Sequence, residues 1–132
     1  MMGAIADAVL DAGGKARGII PRVLTEWEQE HKELTELVVV PDMHTRKKMI
    51  YEWSDAAVIL PGGFGTMDEL FEMLTWNQLK IHDKKIFILN TSGFYDALIA
   101  YLRKAESEGF LYDPLDERVV VCGNADELAA RL

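Results

Sequence analysis

A single cysteine, Cys122, is all the thiol that this sequence holds. An intramolecular disulfide and a cysteine-based metal cluster are therefore excluded. Histidine is scarce too: His31, His44 and His82 lack ligand spacing, and no metal site is expected. No apolar run approaches the length that crosses a bilayer, and the N-terminus lacks a signal-peptide pattern. The expectation is a cytoplasmic protein with no membrane contact. Positive charge is also short, with 14 Lys and Arg against 22 Asp and Glu and a formal net charge of −8. Nucleic acid is a poor partner for such a chain, because affinity for it rests on clustered cations. A bound phosphate would need a local site, since the overall field repels anions. Linkers, repeats and low-complexity tracts are missing as well. With 132 residues, 49% hydrophobic and 27% charged, a single domain spanning 1–132 is expected.

What is present alternates. Short apolar runs at 18–20, 37–40, 56–60, 85–89 and 118–122 read as buried strands. Segments with helical spacing lie between or beside them, at 4–12, 43–53, 67–80, 95–108 and 125–132. In the segment from 67, Met67, Leu70, Phe71 and Leu74 are placed on one face. Continuous apolar strands separated by helices imply an α/β fold, a Rossmann-like doubly wound parallel sheet with helices on both faces. The sequence opens directly on a helix pattern, "MMGAIADAVLDAGG", where such a domain ordinarily opens on a strand. Either the fold is unusual or its first unit is absent.

The stretch "ILPGGFGTMDEL" (59–70) carries the first candidate site. Parallel α/β sheets bind ligands beyond the carboxyl ends of their strands, which is where Gly62, Gly63, Gly65 and Thr66 fall. Glycines permit positive φ and close backbone approach, and a helix N-terminus offers unsatisfied N–H groups to an anion. No Lys follows the last glycine, so this is not a Walker A loop, and it is not GxGxxG either. A purely structural reading stands beside the phosphate reading. Thr66 and Glu69 also form a T-x-x-E capping box, worth about 1 kcal/mol to the helix. The two readings compete for the same amides. If phosphate takes them, Glu69 in the first helical turn is released toward the ligand.

The second candidate is "PDMHTRKKMIYEW" (41–53). Asp42 should cap a helix that carries His44, Arg46, Lys47 and Lys48 near its start, where cations oppose the macrodipole. A solvated basic face and an anion site are both open readings. If strands 37–40 and 56–60 are neighbours, Arg46 lies near Glu69. Met43 and Met49 flank the cations and suit either an apolar base pocket or the core. Trp53 and Trp76 read as core or interface residues, Asp68 as a helix charge, and Cys122 as a small buried hydrophobe.

"PGGFGTMDE" matches the PGGxGTxxE motif of the LOG family, the cytokinin riboside 5′-monophosphate phosphoribohydrolases, and "MHTRKKMI" resembles that family's Arg-Lys element. "GIIPRVL", "LTWNQLKIHDKKIFILN" and "GFYDALIAYL" resemble family segments too, so the resemblance covers essentially the whole chain. It implies hydrolysis of the N-glycosidic bond of a purine nucleoside 5′-monophosphate by a homodimer, with no cofactor. It further implies Glu69 and Arg46 as catalytic residues, with Gly62, Gly63, Gly65, Thr66, Lys47 and Met43 binding substrate. Members often carry a lysine decarboxylase label, yet no pyridoxal phosphate lysine can be assigned here. The family's first strand, helix and second strand have no counterpart in the sequence. The expectation is therefore a shortened relative or a fragment, with a nucleotide- or cofactor-binding module that does not turn over as the alternative to the enzyme.

Overall fold

The computed structural model describes residues 2–24 and 34–132, so His31 lies outside the described residues. The chain divides into two compact units, Met1–Ser54 and Asp55–Leu132.

The first unit begins with α1 (Met2–Asp11), which ends at a glycine pair. Gly13 takes φ +79°, a left-handed conformation that costs a glycine nothing, and Gly14 N–H returns to the Val9 carbonyl at 2.8 Å. Strand β1 (Arg17–Pro21) and strand β2 (Glu36–Val40) pair in parallel, with Arg17 opposite Glu36 and Pro21 opposite Val40. Arg17 makes a 3.4 Å ion pair with Glu36 and lies 5.3 Å over the Trp53 ring. Helix α2 (Met43–Trp53) packs on both strands, and Ile20, Val40 and Tyr51 are buried. Trp53 is 40% exposed, so its place is at the surface beside Arg17 rather than in the core.

The second unit is built on β3 (Ala56–Ile59), β4 (Lys85–Leu89) and β5 (Val119–Cys122), all parallel, with β4 in the centre. Helix α3 (Phe64–Gln78) joins β3 to β4, and α4 (Asp96–Ser107) and the short α5 (Leu115–Arg118) join β4 to β5. Helix α6 (Ala125–Arg131) follows β5. Ile59, Leu70, Ile86, Ile88, Tyr95, Leu102, Leu115 and Val119 form one buried cluster. The central strand explains its position: Ile86 and Ile88 are wholly buried, each contributing about 1.5–3 kcal/mol relative to exposure. Cys122 is buried and unpaired to any other thiol, as its apolar strand implied.

Parallel pairing throughout, with helices between the strands, bears out the α/β Rossmann-like class. In the first unit β2 pairs with β1, and in the second β3 pairs with β4. Two expectations need correction. On α3, Phe71 is 39% exposed, while Met73 joins Met67 and Leu74 against the core. The buried stripe is centred on Leu70 and Asn77, two turns apart, which rotates Phe71 outward. The helix also begins at Phe64 rather than at 67.

Candidate active site

The glycine turn leaves the carboxyl end of β3 and enters α3 within four residues, Leu60 to Gly63. Gly63 is the N-cap, and no side chain caps the helix. The first intrahelical bond runs from Met67 N–H to the Gly63 carbonyl at 3.1 Å. The amides of Phe64, Gly65 and Thr66 therefore precede the helical ladder, as the first N–H groups of any α-helix do. The capping box is overturned: Thr66 is the third helical residue instead of the cap, and Glu69 lies in the second turn. Gly63 and Gly65 have no side chain to mark a boundary, so the helix continues two residues upstream of Thr66.

None of the three loop glycines has positive φ, so that freedom of glycine is not used here. Gly62 is needed for close approach. A Cβ there would sit 2.2 Å from the Thr66 hydroxyl oxygen and 2.9 Å from its Cβ. Thr66 thus packs its side chain on the Gly62 backbone and ties the exit of β3 to the first turn of α3. Around a Cβ at Gly63 or Gly65 the space is open to 4 Å, so the fold itself does not demand glycine at either position. Glu69 is half-buried on the same helix.

The basic element behaves as a split surface. Asp42 caps α2, accepting from Thr45 N–H at 2.7 Å, and that bond holds its carboxyl below the ordinary range. Arg46 turns back to the sheet, its Nε donating to the Ile19 carbonyl in β1 at 3.1 Å. Lys48 points the other way, into an exposed 3.7 Å pair with Glu52. Lys47 is half-buried, and Met43 is 38% exposed. Gly62, Gly63, Gly65, Thr66 and Glu69 therefore share one turn and helix of the second unit, while Met43, Arg46 and Lys47 share one helix of the first. Among the described residues no group of three or more His, Cys, Asp and Glu could hold a metal ion.

Sequence reasoning gave no part to Tyr95. Only 3% exposed, it donates its hydroxyl to the Leu60 carbonyl at 2.6 Å, at the root of the glycine turn. The available signal was position: Tyr95 follows β4, in the connection next to the one that holds the glycines.

A parallel α/β unit whose strands are joined through helices, with a glycine turn at a strand's carboxyl end leading into a helix, defines a class, the Rossmann-like α/β proteins. Within it the chain belongs to the LOG family: residues 2–132 match the family described as "Possible lysine decarboxylase". It is 43% identical over 132 residues to the probable cytokinin riboside 5′-monophosphate phosphoribohydrolase LOGL1 of Oryza sativa subsp. japonica, covering 100% of this chain and 59% of that protein. It is 43% identical over 133 residues to the cytokinin riboside 5′-monophosphate phosphoribohydrolase of Rhodococcoides fascians, with 100% and 67% covered. LOG3 of Arabidopsis thaliana, of the same name, is 42% identical over 132 residues, with 100% and 61% covered. The chain thus spans roughly three-fifths to two-thirds of the length of these relatives.

Proposed function

We propose that the protein hydrolyses purine nucleoside 5′-monophosphates, those of cytokinin ribosides or of adenosine, to free base and ribose 5-phosphate. The observation that carries this reading is the start of α3, where a helix N-terminus opens on Gly62 and Gly63 with no side chain capping it. The names of the relatives, all phosphoribohydrolases of a nucleoside monophosphate, support the same substrate class.

In this reading the amides of the Gly62, Gly63, Gly65 and Thr66 turn hold the 5′-phosphate through charge-assisted hydrogen bonds. Breaking the C1′–N bond develops positive charge on the ribose, as glycoside cleavage generally does. Glu69, two turns from the phosphate amides at most, contacts the ribose hydroxyls and stabilises that charge as a carboxylate. Water adds at C1′, its hydroxide portion going to the sugar and its proton to the departing base. The family resemblance names Arg46, Lys47 and Met43, all on α2 of the first unit, as further residues whose substitution is expected to lower turnover. The same resemblance supports a homodimer, which sedimentation would check.

The test is release of free base from AMP and from isopentenyladenosine monophosphate, followed by chromatography. Glu69→Gln keeps the shape and removes the charge, and kcat is expected to fall by about a hundredfold or more. Turnover by Glu69→Gln at the parental rate contradicts the role of Glu69. Binding of AMP without any turnover by the parental protein favours a nucleotide-binding module instead.

A further inference from the structure

Tyr95 joins the glycine turn to the other two strand exits of its sheet. Its ring belongs to the buried cluster that contains Ile59, Leu70 and Ile88, and it meets Phe94 edge-on at 4.8 Å. Its hydroxyl donates to the Leu60 carbonyl, and burial pushes the phenol's pKa up. Leu60 precedes Pro61, whose ring restricts the backbone there. The buried hydroxyl therefore holds the chain at the residue from which the glycine turn departs. Tyr95 is fixed in turn from behind. Its own N–H donates to Asn90 Oδ1 at 2.7 Å, and Asn90 Nδ2 donates to Asp96 Oδ1 at 2.8 Å. The Asn90 N–H reaches the Cys122 carbonyl at the end of β5, also at 2.8 Å. Hydrogen bonds thus run from the exit of β5, through that of β4, to that of β3.

We propose that Tyr95 is the positioning residue of the phosphate turn, its hydroxyl setting the path on which Gly62 and Gly63 leave β3 and so the aim of the first α3 amides. This role rests on the phosphate reading of the turn. It differs from ordinary core packing in what it moves. A residue that aims binding amides affects ground state and transition state alike, so its loss raises KM and leaves kcat nearly unchanged. A residue that only packs lowers stability and moves neither.

The experiment compares Tyr95→Phe with Ile88→Val, which trims the same buried cluster. Calorimetric affinity for ribose 5-phosphate, KM and kcat for AMP, and amide hydrogen exchange at Gly62 and Gly63 are measured on each purified protein. In Tyr95→Phe the affinity is expected to fall about tenfold, KM to rise by a similar factor, and kcat to stay within about threefold. Exchange at Gly62 and Gly63 is expected to accelerate relative to Ile86 and Phe87. Ile88→Val should lower the thermal midpoint without these changes. Unchanged affinity and KM in Tyr95→Phe, where the parental protein binds ribose 5-phosphate, overturns the positioning role alone. A parental protein with no affinity for ribose 5-phosphate overturns the phosphate reading and this role together. Should Tyr95→Phe fail to fold, Asn90→Ala, which removes the acceptor of the Tyr95 N–H, is measured in its place: a raised KM with kcat kept supports the role, and an unchanged KM contradicts it.

Discussion

Gly62 and Gly65 stand three residues apart and carry opposite expectations. Gly62→Ala would force its new Cβ against the Thr66 side chain, whose hydroxyl oxygen lies 2.2 Å from that position. Thr66 must turn or the strand exit must shift, and a loss of about 1–3 kcal/mol is expected in urea unfolding. Gly65→Ala meets nothing within 4 Å and lies in the first turn of a helix, where alanine is favoured by about 0.5–1 kcal/mol. It should stabilise the fold and still weaken AMP hydrolysis, because the methyl group occupies the approach to the amides. Higher stability with undiminished activity would reduce the turn to a structural device. The "PGGFGT" stretch was legible in sequence because glycine density after an apolar strand has few other causes. The role of Thr66 was not. A T-x-x-E pattern reads as a cap, but a helix that starts on Gly63 needs no polar side chain to begin. Tyr95 was hidden for another reason, since a side chain bonding a carbonyl 35 residues away leaves no local pattern.

At the scale of elements, α4 and α5 are joined by carboxylates. Glu106 accepts from Leu115 N–H at 2.7 Å and from Arg103 at 3.1 Å, and Arg103 also binds Asp116. The Leu115 bond, with Arg103 second, holds the Glu106 carboxyl below its ordinary 4.5, and Arg103 holds Asp116 below 3.8. A depressed carboxyl pKa stabilises the folded state above the unfolded value, and that stability is lost as pH falls through the folded value. The thermal midpoint is therefore expected to be level from pH 7 to about 5 and to fall below about pH 4.5. Glu106→Gln should lower the midpoint at pH 7 and flatten that fall; an unaltered acid limb would contradict the assignment. Among the described residues, the five strands and the five longer helices were legible because apolar runs and 3.6-residue spacing persist over enough residues to count. Helix α5 was not, since four residues carry no period. Phe71 was misplaced because two positions four apart both fit a stripe, and only Leu70 and Asn77 fix its centre.

For the whole molecule, charge and architecture pull against each other. A net charge of −8 repels anions, so the proposed phosphate recognition has to come from a few oriented amides. The turn at the head of α3 supplies such amides within the second unit. Composition excluded nucleic acid and metal clusters as expectations, and periodicity gave the fold class. Neither could reveal which amides are open at a helix start, which is a matter of backbone geometry. The central claim is that the turn recognises a 5′-phosphate, and the direct measurement is kcat/KM for base release from AMP against that from adenosine. Two or more charge-assisted bonds to phosphate predict a preference for AMP of about a hundredfold or greater. Equal rates on adenosine and AMP would contradict the account.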